Sequence, residues 1–136
     1  MNAASNERFW RPVLGLAAAG NLINGLWMLA APAHWYWNLP ANVPGSGPLN
    51  EHFVRDVGCV FTLLGVALAL AATRPAWRVG ALAATAAFSV AHALVHVWDS
   101  ARGLFPAGQW GVDLVPIYGT AALTLWLLGR ATREAA

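Results

Sequence analysis

The stretch EHFVRDVGCVFTLLGVALALAATRPAWRVGALAATAAFSVAHALVHVWD, residues 51–99, decides the fold. Two apolar runs flank the short turn Arg74-Pro75-Ala76-Trp77-Arg78, and each is about 20 residues long, enough at about 1.5 Å per helical residue to cross a bilayer core of about 30 Å. So short a connection returns the chain antiparallel to itself, so the segment reads as a transmembrane helical hairpin. A similar run precedes it at about residues 13–31 and another follows at about 112–129, which with 52–73 and 79–98 gives four spans. The expectation is an all-α integral membrane four-helix antiparallel bundle, residues 1–136 forming a single transmembrane domain.

Composition excludes an ordinary water-soluble domain: 58% of the 136 residues are hydrophobic and 10% charged, against about a quarter charged in a typical soluble chain. The net charge of +2 comes with eight Arg and no Lys, and the placement of the Arg residues argues for a membrane rather than nucleic acid as partner. Arg8 and Arg11 precede span 1, Arg74 and Arg78 separate spans 2 and 3, and Arg130 and Arg133 follow span 4. Four crossings put all of these on one side, the positive-inside pattern, which predicts cytoplasmic termini. The single cysteine, Cys59, provides neither a disulfide framework nor a Cys-rich metal motif. Span 1 exceeds the apolar core of a signal peptide and contains Asn21 and Asn24, so it is expected to stay uncleaved despite Ala31 and Ala33. Trp35, Tyr36 and Trp37 place the first connecting loop at the headgroup level. Pro116 predicts a kink in span 4. Ala83, Ala87 and Ala91, with Gly80 and Ala84 beside them, read as a surface for helix packing.

Turning each span at about 100° per residue aligns its polar residues into one stripe. Span 3 aligns Thr85, Ser89, His92, His96 and Asp99; span 2 aligns Glu51, His52, Arg55, Asp56, Cys59 and Thr62; span 4 aligns Asp113, Thr120 and Thr124. A bundle turning these stripes inward shields them from lipid. Counting from the Arg anchors, Asp56 lies 18 residues from Arg74, His96 18 from Arg78 and Asp113 17 from Arg130, which is one shared level at about 26–27 Å. His52 and Asp99 come out a turn nearer the outer face, and His92, Cys59 and Asn24 a turn deeper.

Ionisable residues inside spans are costly and mark candidate sites. His92 and His96 stack at i and i+4 with Asp99 one turn on, and His52 with Asp56 repeats the spacing on the neighbouring span. Nitrogen and oxygen donors from two helices suit a cation, so His52, Asp56, His92, His96 and Asp99 are the candidate ligands of a divalent transition metal. Arg55, Asp113 and Asn24 are candidate cofactor- or ligand-orienting groups around it. Glu51, Asp56, Asp99 and Asp113 against Arg55 leave an excess of negative charge that a divalent ion resolves. The alternative cofactor is haem b with His52 and His92 or His96 as axial ligands. A third reading is a cofactor-free small-ligand or proton-coupled site, and a fourth an accessory subunit whose stripes contact a partner. Arg55 can instead simply pair with Glu51, four residues away. The implied partners are the lipid bilayer and an apolar or amphipathic small molecule, with a homo-oligomer left open; enzymatic activity is not decided by these residues.

The segment Asn50-Glu51-His52-Phe53-Val54-Arg55-Asp56-Val57-Gly58, followed by His92-x3-His96-x2-Asp99, resembles small four-span bacterial inner-membrane proteins of uncharacterised function. The resemblance implies a bacterial inner-membrane location and carries no activity or mechanism with it.

Overall fold

The computed structural model describes residues 3–136, with side chains from Glu7 onward. Six α-helices follow one another: α1 (Ala3–Ala30), α2 (Pro32–Asn38), α3 (Glu51–Thr73), α4 (Arg78–Ala101), α5 (Gln109–Asp113) and α6 (Thr120–Ala135). A π-helical stretch, Leu114–Gly119, joins α5 to α6. No strand occurs among the described residues. Four segments, Glu7–Ala30, Glu51–Thr73, Pro75–Ala101 and Gln109–Ala135, are long and apolar enough to cross a membrane, so the chain is a multi-pass membrane protein.

Helix ends differ from those expected. Helix α1 begins at Ala3, ahead of the expected residue 13, and runs through Pro12. Hydropathy ends a span where Arg8 and Arg11 appear, but the helix continues because Glu7 and Trp10 have partners there. Helix α4 runs on to Ala101, where Gly103 (φ 71°) stops it. Gly103 N–H donates to Ser100 O and Leu104 N–H to Asp99 O, both at 3.0 Å, the paired bonds of a Schellman ending that glycine makes available at positive φ. The interruption expected at Pro116 takes the form of the π-helical stretch: proline has no N–H for the ladder and its ring crowds the carbonyl four residues back.

The chain divides into two compact units, residues 1–32 with 51–81 and residues 33–50 with 82–136. In the first, α1 and α3 lie antiparallel: Leu22 meets Gly65, Gly25 meets Thr62 and Met28 meets Gly58, numbers rising on one helix as they fall on the other. The buried stripe of α1 recurs at helical spacing through Trp10, Leu14, Ala18, Gly25 and Met28. That of α3 runs through Val54, Gly58, Leu64, Gly65 and Leu68. Between α3 and α4, Arg74 is extended (φ −126°, ψ 100°), as the residue before a proline must be, and Pro75–Trp77 forms one 3₁₀ turn.

A buried cation fastens the turn after α3 to the start of α1. Arg78 Nη2 donates to Glu7 Oε1 at 2.7 Å and Oε2 at 2.8 Å, and its Nε donates to Ala71 O at 3.4 Å. Its guanidinium carbon sits 5.5 Å from the centroid of the fully buried Trp10 ring. Arg78→Met is expected to cost about 1–2 kcal/mol, through lost charge-assisted hydrogen bonds. The loss stays modest because Glu7 keeps Arg11 at 3.6 Å and is itself 31% exposed. Arg78→Lys should recover only part, since one ammonium cannot reproduce the guanidinium's bonds to Ala71 and Glu7 together. The midpoint of unfolding in mixed detergent micelles checks both variants; equal midpoints for wild type and Arg78→Met would refute the role.

In the second unit, Tyr36 is buried and donates from Oη to Gly47 O at 2.6 Å, closing the loop after α2. Within its part of α4, Leu82, Thr85, Ala86, Ser89 and Ala93 are buried. The alanines expected to pack helices, Ala83, Ala84, Ala87 and Ala91, are exposed instead, on the opposite side of α4 from Thr85 and Ser89.

Candidate functional site

The polar residues of the second unit converge at the end of α4 remote from the Arg74–Arg78 turn. His96 Nδ1 lies 2.7 Å from Asp113 Oδ2. Asp113 Oδ1 accepts from Gln109 Nε2 at 2.8 Å, and the same Nε2 donates to Ala41 O at 3.3 Å. Gln109 Oε1 in turn accepts from Asn42 Nδ2 at 3.1 Å. Asp113 is 1% exposed and Gln109 4%.

The hydrogen-bond chemistry orients this chain of groups. Reversing the Gln109 amide would set its oxygen against both Ala41 O and the Asp113 carboxylate, acceptor against acceptor, so Nε2 must face them. Oε1 then needs a donor, which Asn42 provides. Both Asp113 oxygens are thus engaged, and the contact with His96 requires a single proton between Nδ1 and Oδ2. With Nδ1 committed, Nε2 is the nitrogen of His96 left for chemistry.

Local structure places each group. Gln109 and Asp113 sit at i and i+4 on α5 and share a face. Asn42 adopts a left-handed conformation (φ 53°, ψ 40°), which asparagine tolerates better than other residues with a side chain, and this aims its amide at Gln109. The Schellman ending of α4 brings Phe105 back over His96, ring centroids 5.4 Å apart. His92 completes a ladder of rings: it stacks on Phe88 at 5.8 Å with 6° between planes, and meets the edge of His96 at 4.7 Å. His92 makes no hydrogen bond among the described residues.

Of the residues singled out from sequence, the structure brings His92, His96 and Asp113 together. Asp99 contributes its backbone carbonyl, as the acceptor from Leu104. His52, Asp56 and Arg55 lie in the first unit and pair along α3. His52 Nε2 is 3.5 Å from Asp56 Oδ2, their side chains 89% and 60% exposed, and Arg55 Nη2 is 3.1 Å from Glu51 Oε2. The polar arc of α3 is therefore not its buried face. The glycine and aliphatic face takes that place, because only it allows α1 to approach so closely. Asn24 is half-buried, with Nδ2 3.7 Å from Met28 Sδ one turn on. Asn21 donates to Ala17 O of its own helix at 2.9 Å rather than to a neighbouring one. Among the described residues, no three His, Cys, Asp or Glu side chains are grouped to hold a metal ion.

Gln109 and Asn42 were not singled out from sequence. The i, i+4 spacing of Gln109 and Asp113 was a legible signal for the first; nothing local marks Asn42, whose partner lies 67 residues away.

No protein-family model matches the chain, and comparison with curated proteins and with solved structures returns no significant match.

Proposed function

We propose that the chain is a bacterial inner-membrane protein with cytoplasmic termini, whose second unit carries an intramembrane proton-exchanging site for a small apolar or amphipathic molecule, open toward the outer face. The observation that carries this reading is the hydrogen-bonded chain from Asn42 at the surface through buried Gln109 and Asp113 to half-buried His96. A carboxylate held by an amide on one oxygen and an imidazole on the other orients the ring, fixes which nitrogen carries its proton, and stabilises the imidazolium formed when Nε2 accepts a second one. Ser89 and Thr85, buried on α4, continue the polar face below His92.

Glu51 pairs with the Arg55 cation, whereas Asp56 meets His52 and Asp113 meets His96 through contacts that offset charge only when the imidazole is protonated. One observation favours a metal as the second reading: a histidine whose Nδ1 meets a carboxylate is the usual support behind a metal-bound Nε2. In that reading His92 and His96 supply nitrogen donors to a divalent transition metal, with Asp99 or water completing the shell.

Visible absorption and metal analysis of protein purified in mild detergent, beside a His92→Ala/His96→Ala variant, separate the readings. The proton-exchanging site predicts no Soret band, metal far below one ion per chain, and a ¹⁵N imidazole signal of His96 that shows its proton on Nδ1. Stoichiometric metal lost in the variant would replace it with the metal centre, and a Soret band lost in the variant with haem b.

A further inference from the structure

We infer that Tyr118 is the hydrogen-bond donor of this same site and that the molecule it receives is a flat aromatic compound bearing a carbonyl oxygen. The inference rests on the proton-exchanging reading above and names its ligand class.

The π-helical stretch sets the position of Tyr118. In a regular α-helix, residues five apart diverge by about 140° around the axis. From Leu114 to Gly119 the turn is wider, so that a Cβ on Gly119 would lie 3.3 Å from Leu114 O, five residues back. With i→i+5 bonding, Asp113 and Tyr118 stand one wide turn apart instead of on diverging sides. Such stretches recur at functional sites because they re-aim side chains in this way. The Tyr118 ring is also held to α5, stacking on Trp110 at 5.8 Å with 21° between planes, and Trp110 adjoins Gln109 in sequence.

The phenol itself is the unexplained group. Tyr118 Oη is buried yet has no hydrogen-bond partner among the described residues. Buried phenols ordinarily find one. The neighbouring network is complete without it: the Asp113 oxygens accept from Gln109 and His96, and Gln109 is used at both ends. Tyr118 therefore has an O–H to donate. A carbonyl oxygen accepts that bond while bringing neither a new buried donor nor a charge into apolar surroundings. The Trp110 ring stacked on Tyr118, with the ladder of Phe88, His92, His96 and Phe105 in the same unit, favours an aromatic carrier, since flat faces stack on one another.

The chain has two tyrosines, Tyr36 and Tyr118, so 3-fluorotyrosine labelling gives a ¹⁹F spectrum that Tyr118→Phe assigns. The full chain in lipid nanodiscs is titrated with acetophenone and with ethylbenzene, which matches it in shape without the oxygen. We expect a saturable shift of the Tyr118 resonance with acetophenone alone. We also expect affinity, read on the ¹⁵N signals of His92 and His96, to fall about tenfold in Tyr118→Phe, the loss of one buried hydrogen bond. Equal, unsaturable responses to both compounds would mean partition into lipid and overturn the inference. Silence from Tyr118 while His96 keeps its Nδ1 proton would overturn it and leave the proton-exchanging reading standing; loss of that His96 signature would overturn both. Tyr118→Phe should raise the unfolding midpoint or leave it unchanged, since it removes a buried hydroxyl that has no partner among the described residues. A lower midpoint would reveal a protein partner for Oη and equally overturn the proposal.

Discussion

Asp113→Leu is expected to be among the most destabilising single substitutions in the second unit, costing about 3 kcal/mol, whereas Asp113→Asn should cost about 1 kcal/mol or less. Leucine removes the acceptor from two groups at once: the Gln109 amide, buried at 4% exposure, and His96 Nδ1, which Asp113 meets at 2.7 Å. Each buried donor left without an acceptor costs about 1–3 kcal/mol. Asparagine keeps an oxygen toward Gln109 and turns its amide toward His96. A donor now faces Nδ1, so the imidazole must carry its proton on Nε2 instead. The two variants therefore separate packing from proton placement. Unfolding midpoints in mixed micelles measure the first, and ¹⁵N chemical shifts of His96 measure the second. An Asp113→Asn protein with its proton still on Nδ1 would show that the carboxylate does not set the tautomer. Asp113→Leu at wild-type stability would show that Gln109 and His96 are solvated rather than buried.

The four apolar segments were legible because a bilayer imposes a length and a hydropathy that the sequence must satisfy, and the observed segments contain all four expected spans except at the margins. Those margins moved where polar residues find protein partners. Glu7 and Arg11 extend α1 through their mutual contact and through Arg78, and residues 109–111 extend the start of the last segment because Gln109 is buried against Asp113. The meeting of His96 with Asp113 was legible from anchor counting, since rise per residue fixes depth and both came out at one level.

What the stripes could not reveal was which face of each helix is buried. On α4 the polar face is the buried one, with Thr85 and Ser89 inside, but on α3 two small faces competed. Gly58 and Gly65 won because they let α1 approach to backbone contact, while Glu51 with Arg55 and His52 with Asp56 pair locally at the start of the helix. Hydropathy scores treat a glycine as nearly neutral and so miss its value as absent volume. The exposed line Ala83, Ala87 and Ala91 carries the opposite lesson: small residues at helical spacing permit close packing, yet their spacing does not identify the helix that uses it. Asn42 was beyond reach for a different reason, because its role depends on a left-handed backbone and on a partner that only the folded chain brings near.

The glycine contact between α1 and α3 yields the other large effect. Gly25→Ala is expected to lower stability by about 2–3 kcal/mol even though alanine is the better helix former by about 1 kcal/mol. The added Cβ would lie 2.5 Å from Thr62 Oγ1, 2.6 Å from Thr62 N and 2.8 Å from Gly58 O. Rotating Thr62 relieves only the first collision, and its hydroxyl is already bonded to Gly58 O at 2.8 Å. The other two collisions are with backbone, so the helices must separate, opening the contacts at Leu22 with Gly65 and Met28 with Gly58 on either side. Gly20→Ala, on the same helix, supplies the control: nothing lies within 4 Å of its would-be Cβ, so only the propensity gain of about 1 kcal/mol should appear. Far-ultraviolet dichroism is a poor readout because separated helices remain helical in detergent. Near-ultraviolet dichroism of the tryptophans against rising denaturing-detergent fraction reports packing instead. Opposite shifts of the two midpoints, Gly25→Ala down and Gly20→Ala up or unchanged, are the expected result. Two variants that shift alike would mean that α1 and α3 do not meet at Gly25 in the membrane, and that the burial of the α3 glycine face needs another partner.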